Sequence, residues 1–590
     1  MVNYESLYPG ATHLLDPSYN FIGYKVPTGE IGATTSIQTS NQLREVSNLL
    51  NQGMKTTEVS VINPEVFEMM PKDHLKEINR LNKLTGAEST VHAPVIDPSG
   101  FTEQGWTEEN REAVERQFIS FVEKSQSVNP DGNVPVTIHA SGVPGSQMIP
   151  ETHRLVTAEE KKIGGPVMGK MTAVDQENGK MINLEREWRY YPQNPEGKIY
   201  TPEKELKVAN SSHWYNQLSQ LVFYKERGDE LLDRALPQIA NTKEDNYSPS
   251  QKVAAQEAKN GKIYLDNTMS SLQNLYNQAY KYANTDGKDS LKEAGGNFEK
   301  DFNIIHEKLE KGGNINFLGE YSGAIQNMIE RMQDITDKTP PQQYVPIEEF
   351  AKKKASETLS NVALKTYEKF GEKSPIISVE NPPYGSAIAS GQDLKDLIQI
   401  TRKKFEEKLM DQGKTSSQAR KTAEKLIGVT WDTSHISMMR KQGFGPEQVV
   451  KETKAVAPYV KHLHYNDNFG STHTDLPPGM GDLPMKDILE VLEKSKFKGK
   501  KIFEGGNFFQ HFRTSPFPYN LEYSGSPLYS MGAGPSWNQL GGLGSYYMGQ
   551  GPINPAIHHS IYGAGFQNLP VELGGEMQGN QGRFSGTPNQ

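Results

Sequence analysis

Gly428-Val-Thr-Trp-Asp-Thr-Ser-His435 reads as a β-strand that delivers two metal-type side chains to its own C-terminal end. Val429, Thr430 and Trp431 are apolar or β-branched residues of the kind that favour strands. They lead straight into Asp432 and His435, so a carboxylate and an imidazole arrive together at one rim. A short Asp-x-x-His match occurs by chance, and alone it says little. Its weight comes from the strand ends that precede and follow it.

Working outward, the same pattern recurs. Before this strand lie Ile31–Ile37, Thr57–Ile62, Ser89–Val95, Val134–His139 and Pro375–Glu380. After it come Val460–His464 and Lys501–Glu504. Between them the apolar spacing predicts helices over Ser40–Gly53, Pro71–Thr85, Thr107–Val128, Pro346–Phe370, Ser390–Leu426 with a break at Gly413, Pro446–Ala457 and Met485–Ser495. Counting Ile427–Asp432 as the sixth strand, eight strands alternate with helices, which predicts an α/β fold of the (β/α)8 TIM-barrel type. In that fold the residues that terminate strands share one pocket.

The alternation pauses once. Residues 141–345 show long helical patterns at Trp214–Leu236, Ser250–Ala283 and Asn297–Met332, with loop or short hairpin between Ala140 and Ser212. The expected organisation is an N-terminal arm at 1–29, the first barrel half at 30–140, a mostly helical insertion at 141–345, the second barrel half at 346–512, and a Gly/Pro/Tyr-rich tail at 513–590 read as disordered or loosely draped. The insertion follows strand four, so it leaves from the rim where strands end and is expected to act as a lid.

Composition bounds the chemistry. The 590 residues carry a net charge of −9, which argues against a large non-specific nucleic-acid surface. With no cysteine, disulfides, thiolate nucleophiles and Cys-based zinc sites are excluded, and any metal must be held by His, Asp and Glu. The N-terminus lacks a signal-peptide pattern and no run of about 18 apolar residues occurs, so no membrane role and a cytoplasmic location are expected.

The strand ends supply His92, His139, Glu380, Asp432, His435, His464 and Glu504, and the loop after strand seven adds His473 and Asp475. The chain has 14 histidines, and five of them (His92, His139, His435, His464 and His473) fall at these rims. Gathering four acids in one pocket without cations would cost several kcal/mol in repulsion and desolvation. Divalent metals relieve that cost, and these are zinc or manganese ligand types. His462 lies on the same strand face as His464, either as a further pocket residue or one barrel layer deeper.

The segments Val91-His-Ala-Pro94, Ile138-His139, Val379-Glu-Asn381, Trp431-Asp-Thr-Ser-His435, Leu463-His-Tyr-Asn-Asp467 and Phe503-Glu504 resemble the endonuclease IV/xylose isomerase-like barrel superfamily. The resemblance spans about residues 30–140 and 346–510. It implies one of two ligand schemes. Like endonuclease IV, up to three Zn2+ ions would be held: the first by His92, His139 and Glu380, the second by Glu380, Asp432, His464 and Glu504, the third by His435, His473 and Asp475. Like the sugar isomerases and epimerases, a single Mn2+ or Mg2+ would sit on Glu380, Asp432, His464 and Glu504, with His435 near the substrate. The first scheme implies a phosphodiester hydrolase acting on DNA with abasic sites or another phosphate ester. The second implies a small sugar or sugar phosphate substrate, with Glu380 and Glu504 as acid and base. Two departures bear on the choice. His473 and Asp475 stand in the reverse of the endonuclease order, and Val95 replaces an aromatic that wedges DNA. The hydrolase is the leading expectation, carried by His92 and His139, which a one-metal isomerase does not require.

Overall fold

The computed structural model describes residues 22–37, 39–61, 63–239, 242, 244–310, 317–505 and 516–524. Eight strands close into a barrel: β1 Ile31–Thr34, β2 Thr56–Ser60, β3 Glu88–His92, β4 Pro135–His139, β5 Ile376–Glu380, β6 Ile427–Asp432, β7 Val460–His464 and β8 Lys501–Phe503. All neighbours pair parallel, and β8 returns to β1. The (β/α)8 expectation therefore holds. Every residue of β6 is buried, as befits a parallel strand covered on both faces.

Side-chain alternation sorts each strand into two sets. On β6, Trp431 faces the helix Pro446–Val456, where its indole N–H donates to Thr453 Oγ1 at 3.1 Å. Thr430 and Asp432 face the barrel interior. Thr430 meets Thr137 at 3.0 Å and Ser378 at 2.8 Å. A polar layer therefore lies beneath the rim, in place of the branched aliphatics usual in such barrels.

One irregularity sets the register at the rim. Val429 lies opposite Val460, but Thr430 lies opposite His462, so Lys461 is an extra residue on β7. The bulge brings His464 opposite Asp432. A regular ladder would have put Leu463 there and turned the imidazole to the other face. Gly428 accommodates the bulge, because a Cβ at this position would meet Lys461 Cγ at 2.2 Å and Tyr459 O at 2.9 Å. Gly428→Ala is expected to cost about 1–3 kcal/mol by overpacking. A denaturant midpoint within error of wild type would refute this account of the glycine.

The described residues fall into two compact units, one within Met1–His153, Glu160–Val167 and Ile347–Gln590, the other within Arg154–Glu159 and Met168–Pro346. The second unit includes the helices Pro202–Ile239, Pro249–Tyr282, Thr285–Glu310 and Phe317–Lys338, around a core that includes Trp214, Leu265, Leu272, Ile325 and Met332. One sequence expectation holds in part here and one needs correction. The segment expected as loop or short hairpin holds strands Val167–Asp175, Met181–Glu185, Glu187–Tyr191 and Asn194–Tyr200, the last two pairing as a hairpin. Many of their side chains are polar and partly exposed, so they lack the apolar alternation that marks a half-buried strand. The first helix begins at Pro202, well before Trp214, and its opening turn carries Glu203 and Glu205, charges suited to a helix N-terminus.

The tail expectation is corrected at its start. Phe517–Tyr523 forms a short helix with Leu521 buried, and Ser524 Oγ lies 3.2 Å from the Tyr465 hydroxyl. Residues 525–590 and 1–21 lie outside the described residues. Among the described residues, no helix is long and apolar enough to cross a membrane.

Candidate metal centre at the C-terminal rim of the barrel

Glu380 stands at the middle of the rim and divides its two oxygens between two groups of donors. Oε2 lies 3.1 Å from His92 Nε2 and 3.2 Å from His139 Nε2. Oε1 lies 2.7 Å from His464 Nδ1 and 3.7 Å from His435 Nδ1. Asp432 Oδ2 and Glu504 Oε2 complete the second group, 3.8 Å and 3.4 Å from His464 Nδ1. Three sets at the rim therefore each place one donor atom per residue within 4.8 Å of one another: His92, His139 and Glu380; His92, His464 and Glu504; and Glu380, Asp432, His464 and Glu504.

The remaining expected donors are looser. His435 Nε2 and His473 Nε2 lie 2.9 Å apart, and Asp475 Oδ1 is 3.5 Å from His473. His435, His473 and Asp475 are not among the sets whose donors converge within 4.8 Å, and the His473 side chain is 41% exposed. His435 Nδ1 lies 2.7 Å from the Asn381 carbonyl.

The donor chemistry fits a divalent cation. His92 turns Nδ1 to the Ala93 carbonyl at 2.8 Å, and His464 turns Nε2 to Glu58 at 2.9 Å. With an N–H donated at each of these outer positions, His92 Nε2 and His464 Nδ1 present lone pairs to the carboxylates. Metal-bound histidines are held in this way. Lone pairs facing carboxylate oxygens at 2.7–3.4 Å require a positive charge between them.

Without a metal, protons take that role. Burial alone would push the His92 imidazole down, but its bond to Glu380 and the charges of Glu380, Glu504 and Glu58 raise it to about 9. His464 is raised well above its ordinary value, the charges of Glu380, Glu504 and Glu58 outweighing burial. Burial drives His139 down to about 3, with the neighbouring imidazoles adding to the effect against the pull of Glu380. Burial opposes ionisation of Glu380, yet the His139, His464 and His92 rings hold it well below the usual carboxylate range. Burial pushes Glu504 the other way, to about 8, with His464 opposing and Glu380 adding.

Two asparagines that the sequence reading passed over brace the rim. Asn381 pairs through its side chain with the backbone of Asp432, accepting from N–H at 2.8 Å and donating to C=O at 3.0 Å. Asn466 donates to Asp432 Oδ2 at 3.2 Å and accepts from the Glu504 N–H at 2.9 Å. Each directly follows or closely follows a ligand-type residue, which is the signal that could have marked them. A larger omission is Glu58, in the middle of β2, which bonds both His462 and His464. Its signal was an acid inside a strand whose five residues are all buried. His462 occupies the deeper of the two positions left open for it, fully buried beside Glu58.

Fold and donor set together define a (β/α)8 barrel with a metal-type centre at its C-terminal rim. Residues 405–508, within the second half of the barrel, match the family model described as xylose isomerase-like TIM barrel. No curated protein matches the chain. Among solved structures, one described as a D-tagatose 3-epimerase-like protein is 10% identical, covering 81% of this chain and 91% of that one at a TM-score of 0.35. The 3-keto-D-glucoside 4-epimerase YcjR from E. coli, in its apo form, is also 10% identical, covering 80% and 91% at a TM-score of 0.33. At these scores the likeness is loose, and the chemistry of the site rests on its own residues.

Proposed function

We propose that the chain is a metal-dependent isomerase or epimerase of a small sugar or sugar phosphate. The observation that carries this reading is the pair Glu380 and Glu504, two carboxyls that converge on one donor set with Asp432 and His464. In the metal-free site Glu380 is held ionised and burial pushes Glu504 up to about 8. Two carboxyls at one centre are suited to act as base and acid. Glu380 would take a proton from the carbon beside a sugar carbonyl, and Glu504, 16% exposed, would return one. A single Mn2+ or Mg2+ on Glu380, Asp432, His464 and Glu504 would supply the Lewis acidity that makes this carbon acidic. His435, buried at the same rim, would meet a sugar hydroxyl.

The balance thus moves from the hydrolase toward the isomerase. The third donor set of the hydrolase scheme does not close, and Val95, 54% exposed, offers no aromatic wedge. The net charge of −9 also suits a small substrate better than a DNA duplex. One observation favours the second reading, a zinc-dependent phosphoester hydrolase: His92 and His139 converge on the Glu380 oxygen that the one-metal scheme leaves unused.

A single experiment separates the two. The metal-loaded chain is incubated in D2O with a panel of ketoses, aldoses and their phosphates, and in parallel with an oligonucleotide containing an abasic site. Deuterium appearing on the carbon next to the carbonyl, with about one ion per chain, is the expected result. Strand cleavage with two or three zinc ions and no exchange would establish the hydrolase instead.

A further inference from the structure

Glu58 lies outside the converging sets at the rim, yet it is fully buried in the barrel interior. Its carboxylate accepts three hydrogen bonds: from Thr90 Oγ1 at 2.7 Å and His462 Nε2 at 2.8 Å on Oε2, and from His464 Nε2 at 2.9 Å on Oε1. A charge placed there is retained only if its partners are well arranged. Two further contacts fix the His464 ring. It stacks on His92 with centroids 5.6 Å apart and a 17° angle, and it meets His462 edge-on at 5.4 Å.

The tautomers follow from the acceptors. His462 Nδ1 is buried and has no hydrogen-bond partner among the described residues. An unpaired lone pair is a smaller penalty there than an unpaired N–H, so His462 carries its proton on Nε2 and gives it to Glu58. Glu58 is then an acceptor for His464 Nε2–H as well, which leaves His464 Nδ1 as the free lone pair pointing at Glu380, Asp432 and Glu504. Glu58, His462 and His464 also converge closely enough to hold an ion themselves. Thr90 and the two N–H groups already occupy the carboxylate, and this supports a bracing role over a separate ion site.

We infer that Glu58 is a positioning residue for the metal centre: it fixes the tautomer and ring orientation of His464 from the layer below, so that Nδ1 is the ligand atom. The inference rests on the metal-dependent reading above. Carboxylate partners of this kind change metal affinity by roughly 10- to 100-fold when removed.

The test uses the full chain, with Co2+ as the probe and chelator competition to read its dissociation constant. Glu58→Gln keeps the shape but offers one acceptor and one NH2 where two N–H groups arrive. The expected result is a folded variant whose Co2+ affinity falls by about 10- to 100-fold. Thr90→Val removes one bond to Glu58 and touches neither ring, so its affinity should stay within about threefold of wild type, as for a change that couples only weakly to the site. In the Zn2+-loaded wild type, ring 15N spectra should show His464 protonated on Nε2 and metal-bound through Nδ1. A folded Glu58→Gln variant with unchanged affinity would overturn the role of Glu58. Should that variant fail to fold, a wild-type His464 protonated on Nδ1 would overturn it equally. Wild-type protein that takes up no Co2+ overturns the metal-dependent reading itself, which distinguishes the two failures.

Discussion

Glu380→Gln is expected to lower turnover by on the order of 10³–10⁴-fold, the upper range for a lost general base, and to strip the bound metal, while leaving the barrel folded. Glu380 is shared by the set with His92 and His139 and the set with Asp432, His464 and Glu504, so the change weakens both of these. Glutamine has the same shape, and the rim can still satisfy it. Its amide would donate to the lone pair of His464 Nδ1 where Oε1 lies now, or to that of His92 or His139 where Oε2 lies. The buried carboxylate and its desolvation are removed together, so the large penalty of a broken buried charge pair is partly avoided. Metal content and turnover should therefore fall far more than the denaturant midpoint. Retained metal with full turnover would refute the assignment of Glu380. A collapse of folding alone would show that its role is structural.

The shared position of Glu380 also shows what the sequence could and could not reveal. The barrel was legible because eight strand segments are separated by helices of ordinary length, and six of them deliver an acid or an imidazole at their ends. The rim donors were legible for the same reason: a residue that terminates a strand projects into the pocket whatever its exact register. The bulge at Lys461 was not legible. It is a one-residue mismatch in how two strands pair, and neither strand's own residues announce it, yet it decides that His464 faces Asp432. Glu58 was missed because mid-strand acids are ordinarily read as solvent-facing, and only the closed barrel turns this one inward against His462 and His464. The convergence of His435, His473 and Asp475 was assumed from residue type. The structure keeps His435 and His473 adjacent but leaves the set open, because loop geometry is not encoded in ligand order.

Removing the metal is expected to make stability fall as pH rises from about 6.5 to 9, and adding Mn2+ is expected to restore more of it at pH 9 than at pH 6.5. His92 is raised from 6.5 to about 9 in the folded protein. Its contribution is fully present below 6.5 and is lost as pH rises through 9. Glu504 is raised from 4.5 to about 8, so the folded state tolerates its proton better than its charge, and that contribution is also gone once pH passes 8. His464, raised well above its ordinary value, acts in the same direction. His139 runs the other way. Its folded value is lowered from 6.5 to about 3, so its contribution is lost only as pH falls below 6.5, outside this window. Each group that keeps its proton only in the fold is worth about 1.4 kcal/mol per pH unit at most, and the coupling among these neighbours makes the sum smaller. A divalent ion replaces the protons that hold the carboxylates and imidazoles together, and it binds the deprotonated forms. The rescue must therefore grow with pH. Melting curves of chelator-treated and Mn2+-loaded protein between pH 6 and 9 test this. His92→Gln, which removes one of the titrating groups, should flatten the metal-free profile. Parallel curves across the range would show that the rim is not held together by a cation, and the metal-dependent reading would fall with it.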